Sequence, residues 1–227
     1  MKKKKIRVLI VEDHPLIVAA YKVAFDLIGK REDRVSFGLV VAPDCETARH
    51  RIREYTQVSE KLTLMLLDIR LPPSKDGKIQ SGEDLGLLVR RLLPDTKIIC
   101  STLLDGSYRI RSIFRTINPD GFLIKSDVDA DELITVIAAV LAGKPYYSET
   151  VLTFLRKEAT NKLLLDDIDR KILYELSIGT KTKDLQQTVH RSLPAIEKRK
   201  RRLKQLFNLE QATDKELLLV AKEKGFI

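Results

Sequence analysis

Cysteine is scarce in this 227-residue chain: there are two, Cys45 and Cys100, and their separation matches neither a metal-ligand nor a redox pair. A zinc or dithiol centre thus drops out, and a reduced cytosolic thiol is the expectation for each. Long apolar runs are missing too, and none approaches the length of a membrane span. Residues 2–5, all lysine, followed by IRVLIV, faintly imitate a secretory leader. That run is too short, carries Arg7, and ends in Glu-Asp-His-Pro instead of a small-residue cleavage site. There is no internal repeat, and no low-complexity tract beyond the lysines, which are expected to be disordered.

What is present is an ordinary soluble composition, 44% hydrophobic and 32% charged, at a length comfortable for two domains. The net charge of +9 is unevenly placed. Residues 1–7 carry five cations, residues 8–160 hold 21 Lys/Arg against 22 Asp/Glu, and residues 161–227 hold 15 against 10. A neutral body joined to a basic tail points to a polyanionic partner for the tail.

The stretch LTLMLLDIR, residues 62–70, is almost continuously apolar and stops on Asp68. Such a run reads as a strand buried on both faces, central in a parallel sheet. Its carboxylate then sits at the strand's carboxyl end, the edge where open α/β sheets bind ligands. A second strand of the same kind, residues 6–11 (IRVLIV), ends on Glu12 and Asp13. Three acids delivered to one edge repel one another unless a cation lies between them. Taken alone, each has a mundane reading as a helix cap or turn residue.

From residue 6 to 142 strand and helix patterns alternate. Strands are expected at 6–11, 35–41, 62–67, 97–101 and 121–124, and helices at about 15–28, 45–55, 83–92, 106–117 and 129–141. Pro15 suits a first helical turn and Gly29 a stop; Asp44 and Asp129 can cap starts; Gly143 followed by Pro145 closes the fifth helix. Five βα units with right-handed crossovers imply a doubly wound parallel sheet. Residues 70–84, with Pro72-Pro73, Asp76-Gly77 and Ser81-Gly82, read as a long polar loop at the Asp68 edge. Residues 144–164 read as a linker with a short helix near 149–158 and a break at Thr160-Asn161. Beyond 165 only helical spacing remains: Ile168, Ile172, Leu176; Leu185, Val189; Ile196, Leu203, Leu206; Leu217, Leu218, Ala221.

The strand ends assemble into a chemistry. Glu12, Asp13 and Asp68 offer carboxylates for Mg²⁺, Ser101-Thr102 a hydroxyl, and Lys125 an ammonium, a set suited to holding a phosphoryl group. In the tail, a helix at 181–188, a turn at 189–191 and a helix opening at Ser192 have helix-turn-helix spacing. Ser192 is placed to cap, with Pro194 in the first turn. The stripe Ile196, Leu203 and Leu206 leaves Glu197, Lys198, Arg201, Arg202 and Lys204 outward, a cation density that phosphates would neutralise.

VLIVEDHP, LLDIRLP, KIICSTLLD and GFLIKSD resemble the signature of response-regulator receiver domains, over residues 6 to about 142. The resemblance implies a (βα)5 flavodoxin-like receiver, 1–143, in which Asp68 accepts phosphate from a sensor histidine kinase. Glu12, Asp13 and Asp68, with the backbone carbonyl of Arg70, would hold Mg²⁺. Thr102 would be the switch hydroxyl, Lys125 the phosphate-binding lysine, and Phe122 stands at the family's aromatic switch position. From about Leu165 to the end the chain is similar to the NarL/LuxR-type DNA-binding domain. Gly179 stands at its turn glycine, Ser192 at its capping serine, and the last helix stops at Gly225. Departures are the lengthened 70–84 loop, Ala195 for threonine, Thr180-Lys181 for Leu-Ser, and the acid Glu197 on the reading helix.

The combined expectation is a cytoplasmic, two-domain transcription regulator, not an enzyme beyond slow autodephosphorylation, with no membrane partner. It would bind double-stranded DNA and dimerise on activation, through a change at the helix 4–strand 5–helix 5 surface. The rivals are a phosphorylation-independent DNA-binding or protein-interaction dimer, and a Mg²⁺-dependent phosphatase, for which the Asp-x-Asp of a strand 1 nucleophile is missing.

Overall fold

The computed structural model describes residues 3–32, 34–103, 107–160, 165–209 and 211–227. Lys2, the expected helix start at Gly106, and Asn161 of the expected break lie outside the described residues. The chain divides into two compact units, residues 1–104 with 112–151, and residues 105–111 with 152–227.

The first unit runs β1 (Lys4–Val11), α1 (Pro15–Arg31), β2 (Val35–Ala42), α2 (Cys45–Gln57), β3 (Leu64–Asp68), α3 (Gly82–Leu92), β4 (Lys97–Thr102), α4 (Ser107–Thr116), β5 (Gly121–Ile124), α5 (Ala130–Leu141) and β6 (Tyr146–Tyr147), with α4 straddling the division. The sheet is ordered β2-β1-β3-β4-β5-β6 and every pairing is parallel. It is the doubly wound α/β sheet expected, with a sixth strand added. The order reverses between β1 and β3, so the crevice for a ligand opens at their carboxyl ends, where Glu12 and Asp68 stand.

Burial follows position. All five residues of β3 are buried, as a central strand covered on both faces requires, whereas β2, at the sheet's edge, is half-buried along most of its length. One face of the sheet carries Val8, Ile10, Leu64, Leu66, Ile99 and Leu123 against Tyr21 and Phe25 of α1 and Val136 and Ile137 of α5. Asp44 accepts the Thr47 N–H at 2.7 Å and Asp129 the Glu132 N–H at 2.8 Å, so both expected caps form.

Four expectations are corrected. Gly29 does not stop α1, which continues to Arg31; the glycine is helical and lies against the Phe37 ring. Residues 70–84 are not a solvated polar loop. Leu71 and Ile79 are buried, and Asp76 accepts from Ser74 Oγ (2.7 Å), the Lys78 N–H (3.1 Å) and the Arg49 guanidinium of α2 (2.7 Å). Arg49, then Ser74, hold the Asp76 carboxyl well below the usual carboxylate range. The residues following α5 form β6 on β5, and Ser148 Oγ accepts the Ile124 N–H at 3.1 Å while donating to Asp127 at 2.7 Å. The fourth concerns the helix at 181–188, which begins only at Leu185.

The second unit contains most of α6 (Glu149–Thr160), then α7 (Asp167–Ser177), α8 (Leu185–Val189), α9 (Leu193–Leu206) and α10 (Asp214–Glu223). Its core is Ile172, Leu173, Leu185, Val189, Ile196, Leu203, Phe207, Leu217, Ala221 and Phe226, with the Phe207 and Phe226 rings stacked at 5.6 Å. Leu206, expected in the buried stripe, is 37% exposed; Phe207, one residue on, fills the core instead. Gly179 is left-handed (φ 92°) past the end of α7, and His190 (φ 53°) turns the chain between α8 and α9.

Candidate functional site

At the switch point the sequence-expected acids meet a cation. Lys125 follows β5 directly, and its Nζ lies 2.8 and 3.0 Å from the Glu12 carboxylate oxygens and 2.7 Å from Asp68 Oδ2. Glu12 and Asp68 are buried, so their repulsion is offset by an ammonium between them and not by solvent. Asp68 Oδ1 accepts the Arg70 N–H at 2.8 Å, which fixes the carboxylate's plane at the end of β3. Asp13 is exposed beside Glu12, and one donor atom from each of Glu12, Asp13, His14 and Asp68 falls within 4.8 Å of the others.

The hydroxyl and aromatic positions are equally definite. Thr102 ends β4 and is fully buried, one residue past Ser101, whose register partner is Asp68. Ser101 is already engaged: its Oγ accepts the Tyr21 O–H at 3.1 Å in the core, and burial pushes the Tyr21 phenol far up. This leaves Thr102 the stronger of the two hydroxyl candidates. Phe122 is wholly buried on β5 and tilts against Phe114 of α4 at 5.7 Å; Phe114 meets Tyr147 of β6 edge-on at 5.2 Å. The aromatic expected from resemblance is thus the inner member of a three-ring series reaching β6.

Two residues of the site escaped the sequence. Gly82, at the first position of α3, packs directly on β3: a Cβ there would lie 2.0 Å from the Asp68 carbonyl oxygen. His14, seen only as part of VEDHP, turns its Nδ1 to 3.0 Å from Glu12 Oε1 and 2.8 Å from Asp13 Oδ1. The apolar strand pattern locates the edge but says nothing about which later residues fold back over it.

In the helical unit, α8, the His190 turn and α9 form the expected helix-turn-helix. Ser192 holds the N-cap position of α9, but its side chain makes no capping bond, and the start is set by Pro194 and the extended Ser192 backbone. The cations of α9 divide into two sets. Arg199 donates to both oxygens of Asp166 (2.8 and 2.7 Å) and to buried Asp169 (2.7 Å) of α7. Lys200, itself buried, bonds Thr182 Oγ1 (2.8 Å) and Asp214 (2.7 Å). Lys204 corrects the sequence reading: it is not outward but 19% exposed, paired to Asp214 at 3.3 Å. Burial alone would raise Asp166 and Asp214, but Arg199 holds the first and Lys200 the second below the ordinary carboxyl value.

Lys198 and Arg201 are exposed, and among the described residues no carboxylate pairs with either. Arg202 is 54% exposed, with Asp169 no nearer than 3.7 Å, and Glu197 is half exposed, 3.8 Å from Lys200. Half of the helix's charge therefore fastens it to α7 and α10, and the rest forms an outward basic face suited to phosphates and base edges.

Comparison with known proteins is consistent with this geometry. No family model matches the chain. The transcriptional regulatory protein MctR of Rhizobium johnstonii is 25% identical over 225 residues, spanning 98% of this chain and 96% of that protein. RcsB from Salmonella enterica serovar Typhimurium, solved bound to a promoter in the presence of the phosphomimetic BeF3-, is 20% identical. It aligns over 96% of this chain and 98% of its own, with a TM-score of 0.61. A LuxR-family two-component response regulator from Aurantimonas sp. SI85-9A1 is 24% identical, covering 69% of this chain and 99% of its own, with a TM-score of 0.52. An α/β unit of the receiver type followed by a helix-turn-helix unit is the fold of NarL/LuxR-type response regulators, and it is the fold of this chain.

Proposed function

We propose that the chain is a DNA-binding transcription regulator controlled by phosphorylation of Asp68. The observation that carries this is the buried Glu12–Lys125–Asp68 cluster at the sheet's switch point. It holds a nucleophilic carboxylate beside an ammonium that can pass from that carboxylate to incoming phosphoryl oxygens. An Asp68 oxygen attacks phosphorus of a phosphohistidine on a sensor histidine kinase; the P–O bond forms as the P–N bond breaks, and the imidazole leaves. Glu12, Asp13 and Asp68 have the hard oxygen donors that Mg²⁺ prefers, with the Arg70 carbonyl completing the set, and the ion when bound neutralises the transferring charge. Lys125 and the Thr102 hydroxyl then hold the acyl phosphate, and Phe122 with its ring neighbours answers the change. The site accepts a phosphoryl group and releases it slowly; it is not a turnover enzyme.

The helical unit binds double-stranded DNA through the outward face of α9, as a homodimer on activation. MctR is a transcriptional regulatory protein, and RcsB has been solved as dimers on DNA. Among the described residues no helix is long and apolar enough to cross a membrane, which accords with a cytoplasmic regulator. Lys198 and Arg201, near the start of α9, would read bases, with Glu197 beside them, and Arg202 would meet the backbone. Arg201→Ala should cost about 1–3 kcal/mol on a selected duplex and relax preference at one base pair. Arg202→Ala should weaken selected and scrambled duplexes alike and flatten the salt dependence by about one charge's worth. Titrations of both variants on both duplexes across a salt series test the assignment, and DNA binding unchanged in both would overturn it.

A further inference from the structure

His14 stands where its side chain could cap α1, yet it makes no capping bond. Instead Nδ1 approaches two carboxylates at once, 3.0 Å from Glu12 Oε1 and 2.8 Å from Asp13 Oδ1, while the His14 N–H also points to Glu12 Oε1 at 3.3 Å. A ring nitrogen bears at most one hydrogen, so it cannot satisfy both acceptors by donation with good geometry. A cation at about 2.1 Å from each donor requires neighbouring ligand atoms about 3 Å apart, which is the spacing these three atoms have. The imidazole is 59% exposed, so an ion can reach it from solvent. Among the described residues this is the one group of three or more His, Cys, Asp or Glu side chains with such spacing.

We infer that His14 is a nitrogen ligand of the acidic site, and that the site therefore takes a first-row transition divalent ion, of the Mn²⁺ to Zn²⁺ series, in preference to Mg²⁺. Mg²⁺ is a hard ion that gains little from imidazole in place of water, whereas affinity for the transition ions rises with nitrogen donors. The inference rests on reading Glu12, Asp13 and Asp68 as a cation site. It deepens that reading by naming the ion, and it gives the acceptor chemistry a dependence on transition-metal supply.

The test uses the full chain with Mn²⁺ and Mg²⁺ as probes, titrated calorimetrically into wild type, His14→Gln and Asp13→Asn, with pulsed EPR of the Mn²⁺ forms. His14→Gln should weaken Mn²⁺ binding by about 10–100-fold, change Mg²⁺ binding by less than about threefold, and abolish the imidazole-nitrogen coupling seen in wild type. Asp13→Asn should weaken both ions. Mn²⁺ affinity unchanged in His14→Gln, or no nitrogen coupling in Mn²⁺-loaded wild type, overturns the inference while leaving the cation site standing. Equal loss of both ions in His14→Gln also overturns it, since the imidazole would then only position the acids. If wild type binds neither ion, or if Asp13→Asn binds both as wild type does, the cation-site reading falls and takes the inference with it.

Discussion

Asp68→Asn abolishes transfer of a phosphoryl group to the chain, from a phosphorylated kinase or from an acyl phosphate, with a loss of at least about a thousandfold in labelling. The amide is a poor nucleophile, and the other charged groups nearby are engaged: both Glu12 oxygens face Lys125, and Oε1 also faces His14. The fold should survive. The amide oxygen can still accept from the Arg70 N–H, and Lys125 keeps Glu12. Removing one of two buried carboxylates costs one ion pair and relieves one repulsion, so the stability change should be within about 1 kcal/mol in either direction. Gel-shift or mass measurement of the phosphorylated fraction, beside a thermal melt, reads both effects. Acyl phosphate formed on the variant at the wild-type rate would remove Asp68 from the site.

Gly82→Ala should be the most damaging conservative change in the first unit. The added methyl would sit 2.0 Å from the Asp68 carbonyl oxygen and 2.9 Å from the Asp68 carbonyl carbon and the Ile69 Cα, all backbone atoms that no rotamer change can move aside. Gly86 offers a comparison: its Cβ would meet the Ile117 side chain at 2.5 Å, which can rotate away. At Gly82 either α3 retreats, losing the Gly82 N–H bond to the Ile69 carbonyl (3.2 Å), or the end of β3 shifts and carries Asp68 with it. Overpacking of this kind costs about 1–3 kcal/mol, and a backbone contact puts it at the upper end. A melting point lowered by roughly 5–10 °C is expected for a chain of this size, with labelling of Asp68 slowed further than destabilisation accounts for. A variant that melts with wild type and labels at the same rate would mean that α3 is not seated on the acceptor strand.

Much of the fold was legible because buried strands advertise themselves. LMLLD and GFLI are apolar along their length and each ends at a site residue or just before one, so the alignment of Glu12, Asp68 and Lys125 at one edge follows from counting. What could not be read depends on contacts between distant elements. Periodicity places Arg199, Lys200 and Lys204 on a helix but does not reveal that Asp166, Asp169 and Asp214 lie opposite, so Lys204 read as outward. A two-residue strand such as β6 has no period to detect. Residues 70–84 are rich in turn-formers and read as solvated, because the Ser74–Asp76–Arg49 hub that orders them is formed through space with α2. Gly82 looks like any loop glycine until α3 is laid across the end of β3.

Phosphorylation control of DNA binding is tested most directly by one titration. The full chain is measured on a duplex it selects from a random pool, at fixed salt with Mg²⁺, with and without acetyl phosphate, and Asp68→Asn is run in parallel. The phosphodonor should change wild-type affinity by about 5–150-fold, together with its size in solution, and should leave Asp68→Asn unmoved. Wild-type affinity that stays the same while Asp68 is demonstrably phosphorylated would contradict it.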